Sequence, residues 1–578
     1  MTHLGPHTRS PVALAALASA AIAAVVYLPT MSYGFVVDDL HQIVDNPWVE
    51  RTGRWTEAWV RGVWDFEGRR SSYYRPMMYA LYAGTHRLLG PEASGFHALN
   101  LVMHALASGI AASAAFAIAR RSGDALARRA TWIAFLAGAL FAVHPIHTEP
   151  VAWSAGLVDL GLGAAFLAAV ALYVSSDDRF GAPYSGSVAA FGVALLFKEP
   201  AVTLPAVVLA FDALYLWRSR GVTRTLVRQA PFAAVLVAYF AARAHALGGL
   251  APTAGKASIG PATYLLAVPD LFARYVAKTL APVRLNFWHV YESPESAFGL
   301  RGLVAMVVLA AFAALAWLSF RRSAAVAFAL TLFVVPLLPA FALGALNQGI
   351  ANAFTERYLY LPSFGAILAA VFVGALVVER GVLTGRTVAG IAAVAIALGT
   401  VGCLARIPVW RDSLTLWSDV VRKTPQSAVA RANHGFALLY AKRIEEGEAE
   451  LAHARHLDPG IAEEWVGKGV LYAREGLDKK ALLAFHAALA LDPGCASARF
   501  NLGVAYEHRG DERAALAEYR RAVALAPGNA AFRNNLGIAW ARSGRIDLAL
   551  AEFEEAARLA PDDPEIRGNL ERARGHAP

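Results

Sequence analysis

Two adjacent carboxylates, Asp38 and Asp39, follow the apolar stretch 11–30, and the segment Phe35-Val36-Val37-Asp38-Asp39 is too apolar to be a solvated charge run. Carboxylates so close to a hydrophobic stretch serve as a general base or as metal ligands, and one suffices as a base when the leaving group is already good. The plainer reading is helix capping at the start of 40–44, a position Asp favours. Asp39 lies deeper in the loop and is taken as the base on that ground alone. His97, Asn100 and His104 share one stripe of the next apolar stretch, since positions seven apart return to the same helix face. The turn His144-Pro145-Ile146-His147-Thr148-Glu149-Pro150 invites a zinc reading, but its prolines break any helix that would align the ligands, and hydrogen bonding to a hydroxyl-rich ligand fits better. Lys198, in Phe197-Lys198-Glu199-Pro200, and Arg357, in Glu356-Arg357-Tyr358, are cations at the ends of apolar stretches. Such cations are costly without anionic partners; Glu199 and Glu356 stand beside them, yet two cations opposite two carboxylates also suit an anionic lipid headgroup next to a base.

The elements that must position these residues cross a membrane. Mean hydropathy is +0.43, 57% of residues are hydrophobic, and apolar stretches long enough to span recur from residue 11 to residue 406, more than a soluble domain of this size buries. A net charge of +9 raises nucleic acid as a partner, but the arginines gather in short loops between spans, which excludes it. Cys403 and Cys495 lie too far apart in the chain for a disulfide framework or thiolate metal site. The stretch 11–30 lacks a small-residue cleavage site and reads as an uncleaved first span. With the N-terminus cytoplasmic, eleven spans near 11–30, 96–119, 130–147, 156–174, 185–197, 201–217, 230–247, 302–319, 324–344, 361–378 and 387–406 put every arginine cluster inside. Segment 263–281, with Asp270, Arg274 and Lys278 at four-residue steps, is expected to lie along the interface. On this walk the chemistry-bearing residues all face outside, and so does the C-terminal region, in the periplasm if the host is a bacterium.

That region repeats. Pro425, Pro459, Pro493, Pro527 and Pro561 keep a step of 34 residues, as do Gly435, Gly469, Gly503 and Gly537, and Leu457, Leu491, Leu525 and Leu559. The pattern resembles tetratricopeptide repeats: four helix-turn-helix units and a closing helix after Pro564, stacked as a solenoid that binds other chains. Asn433, Asn501 and Asn535 share one register position, where their amides either pair with the backbone of an acceptor peptide or serve the repeat itself. Trp410 and Trp417, on an amphipathic connector at 407–424, are expected to anchor the array at the membrane interface and hold the acceptor near the outer face.

Together, Asp38-Asp39 after the first span, HPIHTEPVAW at 144–153, FKEPAVTLP at 197–205, ERYLYLPSFG at 356–365 and the repeats resemble the transmembrane and TPR-containing O-mannosyltransferases, members of the GT-C class of polytopic glycosyltransferases. The resemblance implies an all-α architecture: a GT-C membrane bundle at 1–406, the connector, and a TPR solenoid at 425–578. It implies a polyprenyl-phosphate sugar as donor, mannose being one candidate, Ser or Thr hydroxyls of extracytoplasmic proteins as acceptors, and inversion at the anomeric carbon. Asp38 and Asp39 fall on the family's catalytic pair, and Lys198, Glu356, Arg357 and Tyr358 on its other motifs; with Arg75, His144, His147 and Glu149 these form the expected donor site. No cofactor is required and a divalent metal is optional. The alternatives are a GT-C transferase that modifies a glycan or lipid, and a non-catalytic membrane-anchored TPR scaffold.

Overall fold

The protein is described by a computed structural model over residues 6–51, 53–67, 71–177, 179–250, 261–292, 294, 296–341, 354–474 and 476–575. All regular elements among these residues are helical, and the chain forms two compact units that divide at Asp419–Val420.

In the first unit each of the eleven expected stretches is helical, but they differ in length. Among the described residues eight helices are long and apolar enough to cross a membrane: Pro11–Ser32, Ala93–Arg121, Ser154–Ser175, Gly221–Leu247, Leu300–Arg322, Ala324–Phe341, Glu356–Glu379 and Gly385–Trp410. A ninth candidate, Ala130–Ala142 with Pro145–Ala152, bends by 49°, because Pro145 removes a helix donor where the chain turns. The expected spans near 185–197 and 201–217 are short ones. Ala182–Phe197 has 16 residues and Leu204–Tyr215 has 12, against the roughly 20 that a bilayer core demands. By length and composition the described residues give eight such helices, nine with the bent pair, and these two shorter helices make up the rest of the expected eleven. Residues 342–344 of the expected span 324–344 lie outside the described residues.

Ser154–Ser175 is the central helix, 78% buried, whereas Leu300–Arg322 and Gly385–Trp410 turn most of their apolar surface outward. Two glycines make the centre tight: a methyl group on Gly161 would run into the Phe197 ring, and one on Gly163 into the Tyr360 ring. Those close approaches bring Lys198 and the 356–360 segment up to the start of the central helix. At the other end of the bundle the arginine-bearing turns meet one another, Arg128 and Arg129 both pairing with Glu379, and Arg121 with Asp177.

The second unit contains four antiparallel helix pairs, Ala428–Tyr440 with Ile444–Leu457, Ile461–Arg474 with Asp478–Leu491, Ala496–His508 with Glu512–Leu525, and Ala530–Arg542 with Ile546–Leu559, then a closing helix, Pro564–Gly575. The 34-residue glycines mark where each pair touches: a Cβ on Gly435, Gly469, Gly503 or Gly537 would sit within 3.0 Å of Leu451, Phe485, Tyr519 or Phe553 respectively. In three repeats an arginine of the first helix pairs with a glutamate nineteen residues on, Arg431–Glu450, Arg499–Glu518 and Arg533–Glu552, at 2.8–3.0 Å.

Candidate active site

The acidic loop is bent by an unusual residue. Val37 has φ +50°, a left-handed conformation that a β-branched side chain adopts only under constraint. The constraint is Asp39, fully buried: its Oδ2 accepts the Val36 N–H at 3.0 Å and its Oδ1 the Ala155 N–H at 2.7 Å. Burial pushes the Asp39 carboxyl up to about 8 despite those donors. Asp38, by contrast, stays partly exposed. The two neighbours thus divide their work, one fastening the loop to the turn before the central helix and the other presented beside it.

That turn, Trp153–Gly156, is gripped from three more sides. Asn100 donates to the Trp153 carbonyl at 2.7 Å, Tyr82 donates to the Ser154 carbonyl at 3.1 Å, and Trp153 stacks on Trp410 at 6.3 Å. Trp410 is fully buried and Trp417 nearly so, both packed on Phe287. The expectation that these tryptophans anchor the repeats at the interface is corrected: their rings complete the interior of the first unit, and the Gly34 N–H donates to the Arg411 carbonyl at 3.1 Å.

One turn further on, Asp159 lines a cavity together with Tyr73, Arg75, Lys198, Glu199 and Tyr358 among others. Lys198 pairs with Asp159 at 2.5 Å and lies 4.9 Å from the Tyr358 ring centre. Glu199 takes Arg75 at 2.7 Å and Arg243 at 3.5 Å. Arg357 pairs with Glu149 at 3.0 Å. The adjacent-residue pairings read from the sequence are thereby corrected, because each of these charges finds its partner on a distant segment. Glu356 instead holds Lys278 at 3.1 Å, His289 at 3.0 Å and the Asn286 N–H at 3.1 Å. Burial lowers the Lys198 ammonium to about 8, with Arg75 and Arg357 adding to the fall and Asp159 opposing it. Burial also presses Glu199 upward, but the Arg75 charge holds it below the ordinary carboxyl range. Tyr82 lies within electrostatic reach of Asp38, Asp39 and Arg75, which links the acidic loop to the cavity.

Arg75, Lys198 and Tyr358 thus meet in one cavity, with Arg357 and Glu149 within reach of its charges. His144 and His147 do not join them. His144 bonds the Thr279 carbonyl at 3.0 Å, and His147 bonds the Phe141 carbonyl and the Ser363 hydroxyl, each at 2.8 Å, so both serve to fasten the bent helix pair. His104 is tied likewise, to Tyr360 at 2.9 Å and the Ala142 carbonyl at 3.1 Å. Asp159 and Arg243 were missed by sequence reading, although an acidic residue inside a long apolar stretch is itself a signal. In the repeats Asn433, Asn501 and Asn535 each donate to the carbonyl one turn back in their own helix, at 2.7–2.9 Å.

The tetratricopeptide-repeat family matches residues 479–530 and 510–564. The chain is 29% identical over 215 residues to mouse protein O-mannosyl-transferase TMTC2, covering 36% of this chain and 24% of that one. Mouse protein O-mannosyl-transferase TMTC3 aligns over 477 residues at 24% identity, 76% of this chain and 50% of its own. This chain is similar in sequence to the protein O-mannosyl-transferases. The resemblance expected from the motifs therefore holds, and the chain spans about a quarter of the length of the first of these relatives and half that of the second. Among solved structures, the Arabidopsis OM64 TPR domain covers 20% of this chain and 97% of its own at 21% identity and a TM-score of 0.20.

Proposed function

We propose that this chain is an integral-membrane glycosyltransferase of the GT-C type, moving a sugar, mannose by analogy with its relatives' names, from a polyprenyl phosphate to Ser or Thr hydroxyls of extracytoplasmic proteins. The observation that carries the reading is the cavity in which Arg75 and Lys198 converge from separate loops, within the field of Arg357 and beside the acidic loop. Buried cations that meet in one cavity suit a phosphate whose charge grows as its bond to carbon breaks. In the proposed step the acceptor oxygen bonds to the anomeric carbon while the bond from that carbon to the phosphate oxygen breaks. The electron pair leaves with the lipid phosphate, the hydroxyl proton passes to a carboxylate, and the anomeric centre inverts. Lys198, Arg75 and Arg357 neutralise the leaving phosphate, so no general acid is called for and a metal remains optional.

Asp38 is the base in this scheme. Asp39 has both oxygens committed to backbone N–H groups and no exposed surface, so its work is to hold the loop that carries Asp38. The repeats bind the acceptor chain, as solenoids of this type bind peptides. The N-terminus is cytoplasmic, and the acidic loop, the cavity and the repeats lie on the far side of the membrane, the side opposite the arginine turns. Mass spectrometry of extracytoplasmic proteins from a deletion strain tests the reading: O-linked hexose on Ser or Thr should disappear and return with the wild-type gene. Unchanged glycopeptides in the deletion strain would refute it.

A further inference from the structure

One buried atom of a cavity-lining residue is left over when the ion pairs are complete. Asp159 is 3% exposed; its Oδ1 is taken by Lys198 at 2.5 Å, and its Oδ2 has no hydrogen-bond partner among the described residues. A buried carboxylate oxygen without a donor is unfavourable, so a ligand that supplies one gains what the fold leaves unmade. The surroundings decide what kind of donor. Lys198 already occupies the other oxygen, and Arg75 and Arg357 lie within electrostatic reach of the same carboxylate. A further cation entering there would be repelled by all three, whereas a neutral hydroxyl would not. Each of the three cations keeps N–H donors beyond its carboxylate partner, which suit a ligand that is anionic elsewhere. Hydroxyl donor and anion in one molecule describe a glycosyl phosphate.

The position of Asp159 is rigid. It stands in the first turn of the central helix, directly after the Trp153–Gly156 turn that Asn100, Tyr82 and Asp39 hold by three hydrogen bonds. An acceptor fixed in this way discriminates between hydroxyl positions, because a donor displaced to a neighbouring ring carbon misses it.

We infer that Asp159 reads the sugar of the donor: its Oδ2 accepts one ring hydroxyl while Lys198, steadied on Oδ1, serves the phosphate. The inference rests on the proposed polyprenyl-phosphate reading and names the residue that sets its sugar specificity.

The test uses the full-length chain in proteoliposomes with polyprenyl-phosphate mannose and its monodeoxy analogues at C2, C3, C4 and C6. The expected result is that one analogue loses on the order of 10- to 100-fold in kcat/KM in the wild-type protein, the scale of one hydrogen bond to a charged acceptor. The Asp159→Leu protein, which offers neither donor nor acceptor at that place, should no longer distinguish that analogue from the parent donor. A wild-type protein that uses all four analogues as well as the parent overturns the inference, whether or not the variant folds. So does an Asp159→Leu protein that keeps the full preference. If the wild type transfers from no polyprenyl-phosphate sugar while a nucleotide sugar serves instead, the broader reading falls and this one with it. A wild type that transfers without reading any ring hydroxyl removes only the role of Asp159.

Discussion

Replacing Asp39 by Asn should damage the fold, and replacing Asp38 by Asn should damage the chemistry. At Asp39 the structure holds two backbone donors, Val36 N–H at 3.0 Å and Ala155 N–H at 2.7 Å, against the two carboxylate oxygens of a side chain with no exposed surface. An amide keeps one oxygen and turns an N–H₂ toward the other donor, so one buried N–H loses its partner at a cost of about 1–3 kcal/mol. Removing a buried carboxyl returns part of that, which places the Asn variant toward the lower end. Asp39→Ala loses both bonds and should cost roughly twice as much. The Asp38→Asn variant leaves both of these bonds in place, and its stability should fall by less than that of Asp39→Asn. Loss of a general base should instead lower kcat on the order of 10²- to 10⁴-fold, or about 3–5 kcal/mol in the barrier. Thermal unfolding in detergent and sugar transfer in proteoliposomes, run on both variants, separate the two effects. An Asp39→Asn protein that melts like wild type but is inactive, beside an Asp38→Asn protein that transfers normally, would refute the assignment and make Asp39 the base.

Four further outcomes follow from the same geometry. Because Asp39 is raised to about 8 from an unfolded value near 4, the folded state holds its proton longer. Its contribution should be full below about pH 4 and fall by up to about 1.4 kcal/mol per pH unit between 4 and 8. Comparing wild type with Asp39→Asn over that range isolates the slope, and equal pH profiles would contradict it. Lys198, lowered to about 8, should lose its charge above that pH, so kcat/KM for the donor should drop there in wild type and not in Lys198→Arg; a flat profile in both would show that Lys198 keeps its proton or does not serve the donor. Trp410→Ala should destabilise the membrane unit by about 3–5 kcal/mol, since a fully buried indole stacked on Trp153 is lost, and a membrane-domain melting point unchanged from wild type would return Trp410 to the interface role. In the isolated fragment 425–578, Gly503→Ala should lower stability by about 1–3 kcal/mol by forcing a methyl onto the Tyr519 ring, measured by circular dichroism melts, with wild-type melting as the contrary result.

What could be read ahead of the structure was whatever depends on local spacing. The repeat glycines needed only their 34-residue step, because each meets an aromatic or leucine sixteen residues on, within the same unit. The apolar stretches were visible for the same reason, although their lengths were not: the proline-broken turns at 143–145 and 198–200 shorten or bend helices that look continuous by hydropathy. The site residues were recognised as chemically suggestive, but their partners were not, since Lys198 finds Asp159 from 39 residues away and Arg357 finds Glu149 from 208. Sequence offers the nearest opposite charge, and the fold supplies a distant one. The histidines of the 144–149 turn illustrate the converse. Their spacing suggested a ligand, while their ring nitrogens are used by carbonyls and a hydroxyl of the fold.

The central claim is transfer from a lipid phosphate to a protein hydroxyl with Asp38 as base, and one assay meets it directly. The purified full-length chain is reconstituted in proteoliposomes with radiolabelled polyprenyl-phosphate mannose and a Ser/Thr-containing acceptor protein, beside the Asp38→Asn protein at equal abundance. The account predicts alkali-labile label on the acceptor with wild type and a loss of on the order of 10² or more with the variant; equal labelling by both proteins would contradict it.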